Sequence, residues 1–298
     1  MKYSIGIDIG GTNIRIALVS QNGEIIKVIK EATDKTDGKN SLLSQIVSLY
    51  NRLDCKDYHP IGIGIGVPGP VNPKDGSVYV IPNLQIEDIP LKEYLQEKLQ
   101  LPVYVGNDAN VAGLAEATVG NGKEYDVVQY LTLSTGIGGG LIIHHKIMTG
   151  HYGFAQEVGS MVIRRGGRRP SIYKAFGCIE GIASGSMLVE IANEKGLNIA
   201  HAGELFTLAQ QKNDIALSIK KEWLEDMAAF IGSIVAYLEP DVFVLGGGLI
   251  KSAHYFLDEL ISKVDDYVFE YLKGKVKIVL AKYDQDAGII GAAMQAFN

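Results

Sequence analysis

The sequence predicts an α/β protein built as two lobes, and three observations predict it. A chain of 298 residues that is 47% hydrophobic and 21% charged can bury more than one small core. Apolar strands alternate along it with amphipathic helices. One layout, an apolar strand, a polar glycine-rich turn and a second apolar strand, occurs at residues 5–19 and again at 127–150, as expected of two lobes built on one plan.

The first copy, IGIDIGGTNIRIALV, carries Asp8 on its first strand and Gly10, Gly11, Thr12 and Asn13 at its turn. Glycine removes Cβ there, so backbone N–H groups can approach a ligand closely; the same stretch also reads as an ordinary hairpin with a glycine turn. SLLSQIVSLYNRL follows as a helix with Leu42, Ile46, Leu49 and Leu53 on one face and Ser41 as its N-cap. IGIGIGVPGPV is a strand whose Gly64–Gly69 segment satisfies G-x-G-x-x-G. Pro68, Pro70 and the lack of an amphipathic helix after it argue against dinucleotide binding, and G-x-x-x-x-G-K-[ST] occurs nowhere. PVYVGNDANVAGLAEA runs a short strand into Asn107, Asp108, Ala109 and Asn110, then a helix of small residues. A carboxylate at the carboxyl end of a strand lies where open α/β sheets bind ligands, which makes Asp108 the candidate base; its competing role is a helix N-cap. The flanking asparagines can hold sugar hydroxyls. Further polar positions are Asn83, Glu157 and Glu180.

The second copy, VVQYLTLSTGIGGGLIIHHKIMTG, sets Ser134, Thr135 and Gly136 to Gly140 at its turn. Hydroxyls beside glycines in both turns fit a clamp on phosphate oxygens, and a ligand between the lobes would meet both. His144 and His145 match no H-E-x-x-H pattern and read as hairpin residues. KEWLEDMAAFIGSIVAYLEP is a long helix stopped near Pro240, and DVFVLGGGLI a strand entering Gly246, Gly247 and Gly248, where either an adenine ring lies on bare backbone or the strand simply exits tightly. The lobes are expected at residues 1–117, completed by a last helix at about 286–298, and at 118–285.

The formal charge of −6 argues against a general nucleic-acid binder. Cys55 and Cys178 form no C-x-x-C pair, which suits a reducing compartment, and neither a signal peptide nor an apolar run of about 18 residues is present. A cytoplasmic protein that spans no membrane is the expectation.

Taken together, GIDIGGTNIRIALV, GIGVPGPV, PNL, GNDANVAGLAEA, STGIGGG, EVGS, GCIEG, VLGGGL and DAGIIGAA resemble, in order and spacing over nearly the whole chain, the ROK family of sugar kinases and sugar-responsive repressors. The resemblance implies an actin-like (ribonuclease H-like) ATPase fold, two lobes of mixed sheets flanked by helices that close over sugar and ATP. It makes Gly10, Gly11, Thr12 and Asn13 the first phosphate loop with Asp8 near the Mg²⁺-bound phosphates, and Ser134, Thr135, Gly136 and Gly138 the second, with Gly247 and Gly248 on the nucleotide. Asp108 matches the catalytic aspartate, accepting the proton of a sugar 6-hydroxyl, and Gly69, Asn83, Asn107, Glu157 and Glu180 match positions that hold the sugar ring. A homodimer or tetramer is implied as well.

The departures are as informative. Relatives follow E-x-G-H with C-x-C-G-x-x-G-C-x-E, whose His and three Cys bind a structural zinc. Here Ser160 stands for that His, Ser171 and Tyr173 for the first two Cys and Lys174 for the Gly, leaving only Cys178, so no structural zinc is expected. Ser160 in place of imidazole near the sugar's C1 and C2 hydroxyls, and Ile86 where relatives often carry Trp, suggest a roomier anomeric side. A β-glucoside or glucose-like sugar is the favoured substrate, with N-acetylmannosamine, glucose and fructose kinases as alternatives. Arg164 to Arg169, RRGGRR, reads either as a solvated loop or as a contact with a sugar's distal part or another subunit. The repressor branch adds a helix-turn-helix before the first phosphate loop, for which there is no room before Ile5; an enzyme is therefore expected ahead of a repressor or a silent sugar sensor.

Overall fold

The computed structural model describes residues 1–171 and 174–298. In chain order its elements are β1 (Tyr3–Ile9), β2 (Asn13–Ser20), β3 (Ile25–Ala32), α1 (Gly38–Arg52), β4 (Ile63–Val67), β5 (Val78–Ile81), β6 (Ile86–Ile89), α2 (Leu91–Leu99), β7 (Val103–Asn107) and α3 (Asp108–Thr118). There follow β8 (Val127–Leu133), β9 (Ile137–Ile143), β10 (Lys146–Ile147), α4 (Glu180–Ala183), α5 (Gly185–Glu194), α6 (Ala202–Gln210), α7 (Asp214–Leu238), β11 (Val242–Gly246), α8 (Leu257–Val264), β12 (Ile278–Leu280) and α9 (Ala287–Met294).

Two compact units result. One comprises Met1–Tyr130, Gly140–Gln156 and Lys282–Asn298; the other comprises Leu131–Gly139 and Glu157–Ala281. The first unit runs past residue 117 for a local reason. Glu116, fully buried on α3, accepts hydrogen bonds from the backbone N–H of Asn121 (3.0 Å), Lys282 (3.0 Å) and Tyr283 (2.8 Å), which ties both later segments to the helix.

The sheet of the first unit has the order β3-β2-β1-β4-β7, with β1, β2 and β3 antiparallel in turn and β1, β4 and β7 parallel. Its glycines are packing devices. Gly6 pairs with Gly64; a Cβ on Gly6 would lie 2.1 Å from the carbonyl oxygen of Ile289, and one on Gly64 1.7 Å from that of Ala292. Helix α9 therefore rests its backbone directly on β1 and β4, and this close approach accounts for Gly64 in the segment that matches G-x-G-x-x-G.

The second sheet has the order β10-β9-β8-β11-β12. The core of the second unit centres on Phe206, Trp223 and Phe256, with ring centroids 4.8 to 5.2 Å apart, and the Trp223 indole N–H donates to the carbonyl of Ala183 at 2.9 Å. Two boundaries differ from expectation. Helix α1 begins at Gly38, so Ser41 sits inside its first turn, accepting from the N–H of Asp37 rather than capping. Helix α7 begins seven residues earlier than expected, at Asp214, because the Asn213 side chain caps it by accepting from the N–H of Ala216 at 3.0 Å. His144 and His145 form the turn between β9 and β10, both with positive φ (47° and 63°), the conformation of a two-residue hairpin. Among the described residues no helix is long and apolar enough to cross a membrane.

Candidate active site

In the first unit the expected residues gather at the carboxyl ends of β1, β4 and β7. The turn after β1 is tight: the Gly10 N–H donates to the carbonyl of Asn13 (2.9 Å), and Thr33 holds the loop from outside, its hydroxyl donating to the Gly10 carbonyl (2.7 Å) and its N–H to that of Thr12 (3.0 Å). Neither glycine has positive φ; what requires them is proximity. A Cβ on Gly11 would lie 2.9 Å from Cβ of Asn83, which stands on a short helical turn, Pro82–Leu84, over the loop.

Asp108 opens α3, but the cap is Asn107. With extended backbone (φ −65°, ψ 146°), Asn107 accepts through Oδ1 from the N–H groups of Ala109 (3.0 Å) and Asn110 (3.3 Å) and donates through Nδ2 to the Gly69 carbonyl (3.3 Å). Gly69 is itself pressed against β5, where a Cβ would meet the Val80 carbonyl at 2.0 Å. Asp108 is thus a half-buried carboxylate in the first helical turn, its Oδ1 accepting from the Ala109 N–H at 2.8 Å.

Asp8 is held by a residue that sequence reasoning missed. Arg15 directs Nη2 (2.7 Å) and Nε (3.1 Å) at Asp8 Oδ2, and Nη1 at Asp286 Oδ1 (2.9 Å). The signal was the hairpin register, which sets Arg15 opposite Asp8. Arg15 engages only Oδ2, so Asp8 offers its other oxygen, and among the described residues no group of three or more His, Cys, Asp or Glu could hold a metal. A carboxylate oxygen is a hard donor of the kind a magnesium ion takes beside phosphate oxygens and water.

In the second unit Glu180 begins α4 and packs on the second turn. Its Oε2 accepts from the Ile137 N–H at 3.0 Å and would lie 2.7 Å from a Cβ on Gly136. Lys174, unassigned from sequence except as an exchange for glycine, brings Nζ to 2.9 Å from Glu157 Oε2 and 3.9 Å from Glu180 Oε1. Burial works against the Lys174 ammonium, but the hydrogen bond to Glu157 and the charges of both glutamates outweigh it and raise its pKa above the ordinary lysine value. Ser160 lies on the short turn Val158–Ser160, its N–H donating to the Glu157 carbonyl (2.9 Å). Tyr173 lies outside the described residues; Ser171 is exposed and Cys178 fully buried.

A cavity of about 620 Å³ opens beside Ser134, Thr135 and Gly248, with Ser186, His201, Lys251 and Ser252 in its wall. The N-terminus of α5 forms one side: the Gly185 N–H donates to the Ser134 carbonyl at 2.8 Å and the Ser186 hydroxyl to that of Thr135. Ser186 on α5, His201 ahead of α6, and Lys251 with Ser252 on the short helical segment Gly248–Tyr255 carried no motif. Gly247 is outside this wall; with φ +86° and a Cβ position 2.5 Å from the Leu133 carbonyl, it serves the tight exit from β11, whereas a Cβ on Gly248 would meet only Ser134 Oγ, at 3.8 Å. Gly138 lies within β9, also outside the wall.

The arginine-rich stretch is neither free nor solvated throughout. Arg164 pairs with Asp226 (2.6 Å) on α7, Arg168 with Glu190 and Glu194 on α5, and Arg169 donates to the Lys174 carbonyl (2.7 Å).

Known proteins match this arrangement from end to end. The ROK family description matches residues 4–297. The glucokinase of Thermotoga maritima is 30% identical over 305 aligned residues, covering 97% of this chain and 95% of its own. Among solved structures, a ROK hexokinase from Thermus thermophilus superposes with a TM-score of 0.88 at 27% identity, covering 99% of this chain and 98% of its own. A ROK family glucokinase from Streptomyces griseus, in complex with glucose and AMPPNP, gives a TM-score of 0.78 at 28% identity and covers 99% of both chains. Xylose repressors also stand among the relatives. The chain belongs to the ROK family and has its α/β, actin-like fold, with mixed sheets flanked by helices.

Proposed function

We propose that this chain is an ATP-dependent sugar kinase that transfers the γ-phosphoryl group to the 6-hydroxyl of a glucose-like hexose or β-glucoside. The observation that carries this is the placement of Asp108: its half-buried carboxylate stands at the carboxyl end of β7, in the first turn of the helix that Asn107 caps, where open α/β sheets bind their ligands. Phosphoryl transfer asks chiefly for alignment and charge compensation, and aligned reactants recover roughly 7–11 kcal/mol of barrier.

In this reaction Asn83, Asn107, Gly69, Glu157, Ser160 and Glu180 orient the sugar, and Asp108 accepts the 6-hydroxyl proton as the oxygen attacks phosphorus. The Gly10 and Ser134 N–H groups close their own turns, so the donors assigned to phosphate oxygens are the hydroxyls of Thr12, Ser134 and Thr135 and the remaining turn N–H groups, and the cavity at Gly248 suits the nucleoside. Asp8 would hold the magnesium ion, which when bound offsets charge on the phosphates. A cytoplasmic location and a homodimer or tetramer belong to the same proposal.

The test is ADP release with Mg-ATP across glucose, fructose, N-acetylmannosamine, N-acetylglucosamine, cellobiose and gentiobiose. Turnover of glucose or a β-linked disaccharide is expected, and silence across the panel would replace the kinase with a sugar sensor.

A further inference from the structure

We propose that Lys174 is a specificity-determining residue: its ammonium is the built-in counter-ion of Glu157 and Glu180, so that the two carboxylates accept a neutral hydroxylated sugar and disfavour one bearing an ammonium group. This rests on the sugar-kinase proposal, which gives both glutamates to the sugar.

The geometry is specific to this chain. Lys174 Nζ stands 2.9 Å from Glu157 Oε2 and 3.9 Å from Glu180 Oε1, and the second oxygen of Glu180 is already taken by the Ile137 N–H at 3.0 Å. The lysine side chain is only 17% exposed, against 49% for Glu157, so the cation lies deeper than the carboxylate it serves. Charges at this separation in a partly desolvated site interact much more strongly than in bulk water. Without the ammonium, two negative charges would face the sugar and attract a cationic one; with it, one net negative charge remains and the neighbouring ammonium opposes a second cation, so the preference for a cationic sugar is lost.

The lysine is also held in place. Arg169 donates to its carbonyl at 2.7 Å and lies over the Phe176 ring at 5.3 Å, and the Arg168 carbonyl accepts from the Gly177 N–H at 2.7 Å. Arg164 and Arg168 in turn anchor the stretch to Asp226 on α7 and to Glu190 and Glu194 on α5. The basic run thus acts as a clasp that delivers one cation to the two carboxylates.

Calorimetric binding of glucose and glucosamine at pH 6.5, without nucleotide, to the parent, Lys174→Met and Lys174→Arg tests this, with AMPPNP affinity and thermal midpoint recorded for each. The parent should favour glucose; Lys174→Met should move the ratio toward glucosamine by at least ~10-fold with AMPPNP affinity unchanged, and Lys174→Arg should restore the preference. An unmoved ratio in Lys174→Met, with parental ADP release intact, overturns the role of Lys174 and leaves the kinase standing. Equal loss of both sugars with a lowered midpoint overturns it as well, since the lysine would then be merely structural. A parent that binds neither sugar and releases no ADP across the sugar panel defeats the kinase assignment and this proposal with it.

Discussion

In the first unit a cation stands between two carboxylates, Arg15 between Asp8 and Asp286; in the second, Lys174 stands between Glu157 and Glu180. The charges are the same and the construction is not. Arg15 is a planar fork on a strand whose register with β1 already sets it against Asp8. Lys174 is a point charge on a loop, reaching carboxylates that begin separate short helical turns, and its position depends on Arg164, Arg168 and Arg169. The Asp8–Arg15 pair is set by strand register alone and only Asp286 comes from afar, whereas a cation delivered by a loop needs a clasp.

If the first cluster serves phosphoryl transfer and the second serves sugar recognition, mutations should separate the two in kinetics. Asp108→Ala is expected to lower kcat by at least ~10²-fold with sugar binding retained by calorimetry, the range of a lost general base; near-parental turnover would remove Asp108 from the reaction. Asp8→Asn should raise the KM for Mg-ATP by roughly 10-fold and leave that for sugar alone, because a single carboxylate is lost from the phosphate side. Glu180→Gln should do the reverse, raising sugar KM by about 10-fold, and a matching rise in nucleotide KM would collapse the distinction between the clusters.

The second cluster also sets a pH expectation. Lys174 titrates above the ordinary lysine value of 10.5 in the folded protein, so its contribution to stability is complete below that value and is lost as pH rises through the folded pKa. Sugar affinity is therefore expected to be flat between about pH 7 and about pH 9, as measured by calorimetry, and a decline there would place another group in control. The smallest effect concerns the clasp. Burial lifts the Asp226 carboxyl above its ordinary range against the pull of Arg164, so the folded state gains stability as pH falls through that raised pKa. Asp226→Asn should be at least as stable as the parent at neutral pH, the difference shrinking on acidification in thermal melts.

Much of this was legible in the chain. The two hairpins, the strand leading into Asn107 and Asp108, and the glycines of the second turn lie where periodicity and turn chemistry set them. The competition at Asp108 between base and cap was open in sequence because it turns on one residue: the backbone of Asn107, extended at ψ 146°, gives the cap to the asparagine. Ser41 misled for the same reason in reverse, since α1 starts three residues earlier. Arg15 and Lys174 passed unassigned because a charged residue among apolar ones, or in a loop, reads as solvent-facing until its partner is known.

The sequence by itself determined the family, the alternation of strands and helices, the two glycine turns and the carboxylate at the end of β7, because each depends on residues adjacent along the chain or one hairpin apart. Only the tertiary structure decided which carboxylates share a cation, that Gly64 serves helix packing, and which side chains wall the cavity beside Gly248. Those contacts join residues far apart in sequence, and their energies depend on distances and burial that exist only once the chain has folded.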